Sequence, residues 1–168
     1  MPARRTVIAG LCVALGGCGF RPLLTADDGP QVRAELQAVE IQGLGGRLGQ
    51  LVQNALLDEL QATGAGGTPR YVLTVQLQRY SDAFAIQFDN TITRYNLTLI
   101  ADFRLTRRED QQVLYQSAVQ RVTSYNVLRQ PFATLTAEQA AERRAAEEVG
   151  NNIRTLLAVY FAREQDQA

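Results

Sequence analysis

Apolar and polar side chains alternate along three stretches in the middle of the chain, as they do in strands with one buried face. In the first stretch the apolar positions are Leu73, Val75 and Leu77. In the second, one side carries Tyr95, Leu97, Leu99, Ala101, Phe103 and Leu105, and the other carries Asn96, Thr98, Asp102, Arg104 and Thr106, with Ile100 as the exception. The third places Val113, Tyr115, Ser117 and Val119 on one side. Such long alternation predicts an antiparallel sheet with one buried and one polar face.

Two other stretches repeat their apolar side chains every three or four residues, which is the spacing of one helix face. The first helix is predicted over residues 47–62, with Leu48, Leu51, Val52, Ala55, Leu56 and Leu60 on that face. The second is predicted from Thr136, which forms a capping box with Gln139, to about residue 163. Its apolar face carries Val149, Ile153, Leu156, Leu157 and Tyr160.

The predicted elements follow one another in the order βα-βββ-α. A short alternation over residues 36–41 predicts the first strand, and a hairpin around Asp89 and Asn90 joins the first two long strands. This order predicts an α+β fold in which two helices pack on one face of a four-stranded, mainly antiparallel sheet. We expect residues 35–168 to form this single domain. Residues 18–34 show little periodicity, and we expect them to form a tether.

The first residues of the chain have the pattern of an export signal. Arg4 and Arg5 precede an apolar run over residues 7–15, which is shorter than the ~20 residues that a transmembrane helix needs. The segment Leu15-Gly16-Gly17-Cys18 that follows resembles the bacterial lipobox, in which a diacylglyceryl group alkylates the thiol and the chain is cut just before it. The resemblance implies that residues 1–17 are a signal peptide and that Cys18 is the lipid-attachment residue.

Acyl chains on Cys18 would hold the mature protein on a membrane. One acyl chain gives marginal binding, whereas two or more, such as a diacylglyceryl group with an added palmitate, make the attachment durable. Gly19 follows the cysteine, where lipoproteins of enteric bacteria that stay in the inner membrane have aspartate. We therefore expect the protein on the periplasmic side of the outer membrane of a Gram-negative bacterium. The basic start of the signal is compatible with both the general and the twin-arginine export routes.

Charge and composition exclude several classes of function. The chain has 17 basic and 17 acidic side chains and no histidine, and loss of Arg4 and Arg5 leaves 15 basic side chains, a mature net charge of about −2. A nucleic-acid-binding domain would be strongly basic, so no such partner is expected. All the cations are arginines, which do not transfer protons near neutral pH. Without histidine or a free thiol, the chain lacks the commonest general base, nucleophile and zinc ligands.

We therefore expect neither catalysis nor a metal or cofactor. The glycines at positions 43, 45, 46 and 49 lie between a predicted strand and a helix, but Leu48 stands where a dinucleotide-binding fingerprint needs its third glycine. A small hydrolase that uses serine or carboxylates remains an alternative, with Asp82 and Asp89 beside the predicted hairpin. Alanine at both positions would exclude it if envelope function stayed intact.

Several short segments, in order along the mature chain, resemble the lipopolysaccharide-assembly lipoprotein family LptE, particularly its alphaproteobacterial members. They are Cys18-Gly19-Phe20-Arg21-Pro22-Leu23, Gly46-Arg47-Leu48-Gly49-Gln50 with the following Asn54-Ala55-Leu56, Thr93-Arg94-Tyr95, Ser124-Tyr125-Asn126-Val127, Pro131-Phe132-Ala133 and Glu138-Gln139-Ala140. The resemblance implies a plug and chaperone inside the lumen of the outer-membrane β-barrel LptD. The resemblance further implies that this protein and LptD together deliver lipopolysaccharide to the outer leaflet.

A polar strand face and charged hairpin ends are compatible with the polar interior of a barrel. The candidate contacts for lipid A phosphates are Arg94, Arg104, Arg107 and Arg108, because guanidinium groups bind phosphate in a fork. No motif assigns this role to them, and each could instead be a solvated charge. A second alternative is an accessory lipoprotein of a different envelope lipid-transport or secretion complex, which would share the lipobox and the sheet but not the LptD partner.

Overall fold

The computed structural model describes residues 29–61, 68–86 and 92–167. Within them the helices are α1 (Pro30–Gln37), α2 (Gly46–Gln61) and α3 (Pro131–Gln167), and the strands are β1 (Val39–Ile41), β2 (Tyr71–Ile86), β3 (Ile92–Arg107) and β4 (Val113–Asn126). The strands form one sheet in the order β1-β2-β3-β4. β1 pairs with β2 in parallel, and the β2–β3 and β3–β4 pairs are antiparallel. The predicted α+β class and the four-stranded, mainly antiparallel sheet are confirmed.

The core lies between the helices and one face of β3. The side chains of this face are between 0 and 2 % exposed: Leu97, Leu99, Ala101, Phe103 and Leu105. Opposite them α3 supplies a buried stripe of mostly small and branched side chains: Ala141, Ala145, Ala146, Val149, Ile153 and Leu157. Each fully buried leucine contributes roughly 2 kcal/mol to the free energy of folding. This contact therefore decides which face of the sheet the helices cover.

The two long helices also approach each other closely. A Cβ atom added at Gly150 of α3 would lie 3.0 Å from the Cβ of Ala55 in α2, which is tighter than ordinary van der Waals contact. Only small residues fit at this crossing, as ridge-into-groove packing requires. The prediction of an α2 helix over 47–62 is confirmed to within one residue at each end.

The chain before β1 differs from the prediction. Residues 30–37 form α1, and Val32 and Leu36 are buried on one side of it. Pro30 at the start of the helix has the fixed φ that a first turn needs, and a separation of four residues places both apolar side chains on one helix face. The predicted strand at 36–41 is therefore shortened to 39–41, and residues 30–34 belong to a packed helix. Residues 18–28 of the predicted tether lie outside the described residues.

The start of α3 and one position of β4 also differ. α3 begins at Pro131, and the hydroxyl of Thr136 donates to the carbonyl of Phe132 at 3.0 Å, so Thr136 lies within the helix and does not cap it. In β4, Leu105 pairs with Tyr115 and Thr106 with Val113, which leaves an extra residue in β4. This bulge turns Val113 to the other side of the strand, where it is 48 % exposed.

An ion-pair cluster joins α2, β2 and α3. Glu142 of α3, which is 8 % exposed, pairs with Arg47 of α2, and one of its oxygens lies 3.1 Å from Nε of Arg79 in β2. Arg79 also pairs with Glu138, one turn before Glu142. The sequence hypothesis of a hydrolase needed two converging carboxylates. These two converge, but each is neutralised by arginine, which indicates a structural role.

We predict that Glu142→Gln lowers the free energy of unfolding by about 2 kcal/mol, because it leaves arginine charge without its buried partner while Arg47 stays partly solvated. Glu138→Gln is the matched control and should cost less than about 1 kcal/mol, since its carboxylate is more exposed. Urea unfolding followed by circular dichroism measures both. Equal losses would contradict a special role for Glu142.

Candidate functional site

The sheet face opposite the helices is the candidate site. It follows from the strand alternation, because every second side chain of β2, β3 and β4 points away from the core. Its members are mostly polar: Thr74, Gln76, Gln78, Thr98, Asp102, Arg104, Thr106, Gln116, Gln120 and Ser124. In the part of the chain that the structure describes, no element covers this face. A wide polar surface therefore stays open to solvent or to a partner.

A shallow groove of about 560 Å³ crosses this face near the first residues of β2. Two hydrogen bonds order its wall: Thr74 Oγ1 donates to Gln42 Oε1 at 2.8 Å, and Gln78 Nε2 donates to Asp102 Oδ2 at 3.4 Å. The lining is rich in amide and guanidinium groups: Gln42, Gln76, Arg104, Arg108, Gln111 and Gln116. Such a surface can bind anionic or hydroxyl-rich ligands but has no nucleophile–base pair.

Arg104 and Arg108 both line the groove, but their charges are used differently. Arg104 pairs across the sheet with Thr74 and Gln116, and among the described residues its side chain makes no ion pair or hydrogen bond. Arg108 pairs with Glu40 of β1. Within the described structure, an anion can therefore bind the Arg104 guanidinium without displacing a carboxylate, whereas binding to Arg108 would compete with Glu40.

Arg107 stabilises the turn between β3 and β4. Its Nη1 donates to Asp110 Oδ2 and to Gln112 Oε1, both at 2.9 Å. The backbone N–H of Gln112 also donates to Asp110, and this bond, followed by the Arg107 guanidinium, lowers the pKa of Asp110 below its ordinary value. A charge held by its own turn is less available to a ligand.

Arg94 lies at the other end of the sheet, where its Nε donates to Asn126 Oδ1 at 3.0 Å. At ~3.3 Å per residue, about 33 Å of β3 separate it from Arg104. The four predicted arginines therefore do not form one site: two share the groove, one braces a turn and one is distant. The binding role assigned to each stays a prediction. Cys18 and Asp89 lie outside the described residues, and Asp82 is exposed on β2.

Sequence reasoning missed the other groove residues. Gln76 and Gln116 occupy polar positions of the strand alternation, which was a usable signal. Glu40 and Gln42 were not identifiable, because only the parallel pairing of β1 with β2 brings them beside the groove. Among the described residues no three acidic, cysteine or histidine side chains are arranged to hold a metal ion. Within the same residues, no helix has the length and apolar character needed to span a bilayer.

Comparison with known proteins gives a consistent result. A family described as LptE, lipopolysaccharide-assembly, matches residues 34–157. A protein from Caulobacter crescentus whose crystal structure is described as that of a lipoprotein is 28 % identical, with a TM-score of 0.67 over 79 % of this chain and 96 % of its own. Among curated proteins, none matches the sequence significantly.

Two more distant structures share the fold. A minor lipoprotein from Acinetobacter baumannii is 15 % identical, with a TM-score of 0.57 over 71 % of this chain and 91 % of its own. The rare lipoprotein B of Shewanella oneidensis is 12 % identical, with a TM-score of 0.53 over 77 % and 97 %. At these identities the likeness establishes the arrangement of helices and strands alone.

Proposed function

This chain belongs to the lipopolysaccharide-assembly family LptE, and we propose that it acts as an outer-membrane lipoprotein that plugs the LptD β-barrel. In this proposal it helps the barrel to assemble and forms with it the translocon that inserts lipopolysaccharide into the outer leaflet. The observation that carries the proposal is the family match over residues 34–157, which spans all four strands and most of α3.

The open face of the sheet and the length of its strands support this role. A barrel interior is polar and water-filled, and the open face of this sheet presents amides, hydroxyls and guanidinium groups along its length. Large barrels, of ~22 strands, have a lumen wide enough to hold a folded plug. β2 is 16 residues long, or about 50 Å, which exceeds the ~25 Å apolar band of a barrel wall. A domain of this length would extend through the whole lumen.

Cys18 is the proposed anchor of the domain. Between it and Gly29, where the described residues begin, the chain can span at most ~40 Å. Glu35 of α1 contacts Arg70 and Tyr71 at the start of β2, so the chain from the anchor enters near that end of the sheet. This arrangement supports a position on the periplasmic side of the membrane, with the last described residues of β2 and the first of β3 at the end of the sheet away from the anchor.

The experiment that tests the function is purification of the tagged protein from detergent-solubilised outer membranes, followed by mass spectrometry. We expect a stoichiometric β-barrel identifiable as LptD, and crosslinks from it to the open sheet face. Recovery from outer membranes without any barrel would contradict the plug role and favour an accessory lipoprotein of another envelope complex.

Replacing Cys18 tests the anchor. We predict that Cys18→Ala abolishes acylation, because the alanine side chain offers no thiol, and moves the protein out of the outer-membrane fraction. Cys12→Ala is the matched control, since that cysteine precedes the predicted cleavage site. Fractionation with labelled fatty acid measures both variants. An unchanged membrane fraction and unchanged labelling for Cys18→Ala would contradict the anchor.

The groove is the proposed contact for the phosphates of lipopolysaccharide. We predict that Arg104→Ala weakens binding of fluorescently labelled lipopolysaccharide about tenfold, because one charge-assisted hydrogen-bond donor is lost. Arg94→Ala is the matched control: it removes the same charge from the same strand at the distant end. A titration of each variant gives the dissociation constants. Equal weakening in both variants would mean that only the net charge matters or that Arg94 contributes as much as Arg104, and either result would contradict a site confined to the groove.

A further inference from the structure

The second half of β2 is exposed on both of its faces, although Arg79 within it forms ion pairs with α3. From Gln78 to Phe84 every residue is exposed, although the paired part of β3 keeps Leu97 and Leu99 fully buried. The reason is the position of the helices: α3 packs on β3 and β4, whereas α2 packs mainly on α3 and also contacts β1. Apart from the ion pairs of Arg79 with α3, neither helix covers this half of β2.

The outer edge of the same segment also lacks a strand partner. β1 pairs with β2 only as far as Leu73, whose carbonyl also accepts a hydrogen bond from the N–H of Gln42 at 2.9 Å. Because backbone groups alternate in direction along a strand, the N–H and C=O groups of Arg79, Ser81 and Ala83 point to the same side as those of Leu73. Among the described residues, no strand pairs with them.

The opposite edge of the sheet is protected. On β4 the carbonyl of Gln120 accepts a hydrogen bond from Arg121 at 3.0 Å, and the carbonyl of Ser124 accepts one from Arg144 at 3.4 Å. Arginine side chains thus occupy outward carbonyls of β4. On β2 the comparable side chain, Arg79, turns instead to Glu138 and Glu142 of α3. Proteins usually blunt a long edge strand. β2 has a register shift after Ala83, but among the described residues no side chain is hydrogen-bonded to the outward carbonyls of Arg79, Ser81 and Ala83.

We propose that the β2 edge from Arg79 to Ala83 accepts an additional strand from an extended loop of the barrel partner. This inference rests on the proposed function. The strands of a closed barrel already have both neighbours, so its loops are the part that can supply unpaired backbone. Backbone pairing of this kind gives affinity, and the side-chain positions beside it give specificity.

The side chains around the edge indicate what the added segment carries. Ser81 and Ala83 are small and leave room on the side of the helices. On the other face Tyr80 is 50 % exposed, and the neighbouring Phe84 is 65 % exposed, so both would be covered by apolar side chains of the loop. Asp82 lies between them and would pair with a basic side chain. The expected segment is therefore extended, partly apolar and basic at one position.

Hydrogen exchange of the intact lipoprotein, alone and bound to the barrel, tests the pairing directly. We expect the amides of Arg79, Ser81 and Ala83 to exchange about 100-fold more slowly in the complex. Ala118 on the β4 edge serves as the internal reference and should change little. Protection of the three amides in the lipoprotein alone at high concentration would assign the edge to a second copy and overturn the proposal.

Proline variants provide the functional test. Ala83→Pro removes an outward N–H and should reduce recovery of the barrel at least ~10-fold, because proline cannot donate to an added strand. Ala118→Pro is the matched control: it is also an exposed alanine whose N–H points outward, but on the protected edge. Thermal unfolding should show similar stability for both variants, since neither outward N–H pairs within the sheet.

The outcomes separate the two proposals. No barrel recovered with the unchanged protein overturns both of them. A barrel recovered equally well with Ala83→Pro and Ala118→Pro, without slowed exchange at Arg79, Ser81 and Ala83, overturns the edge pairing alone and leaves the plug role intact.

Discussion

The structure depends on the apolar contact between the inner face of β3 and α3. Leu97, Leu99 and Leu105 are fully buried beneath the small side chains of that helix, and their burial stabilises one arrangement in which the helices lie on a single face. A sheet of alternating residues cannot bury both faces when one of them is polar. The open polar surface, with its groove and Arg104, is therefore a consequence of where the apolar residues of β3 lie.

Ion pairs between arginines and carboxylates add to this apolar contact. Because every cation is arginine, each can bind carboxylates in a fork, and many of the described arginines are used in this way within the fold. Arg79 and Arg47 hold the carboxylates of α3, Arg107 closes a turn, and Arg108 pairs with Glu40. Arg104 differs because its cross-strand partners, Thr74 and Gln116, are neutral. The number of arginines therefore does not indicate a binding site. What matters is whether each guanidinium is already paired with a carboxylate.

The unequal protection of the two sheet edges links the fold to the proposed role. An exposed edge strand favours association with other chains, and its retention on β2 fits the proposed position of the domain inside a partner barrel. The short β1 makes this possible, because it pairs with only the first residues of β2. The chain belongs to the LptE family, and the open sheet face and the unpaired β2 edge of the described residues support the proposal that this domain contacts another protein.

The sequence by itself determined the α+β class, the faces of β3, the extent of α2 and the family resemblance, because periodicity records which side of an element is buried. It was wrong for Val32, which it placed in a tether, and for Leu36, which it placed in a strand. A single pair of apolar residues fits a helix or a strand, and tertiary packing favoured the helix. The bulge that turned Val113 outward and the ion pairs that distinguish Arg104 from Arg108 join residues far apart in the chain. Such contacts depend on register and packing, which local patterns do not contain, so only the tertiary structure decided them.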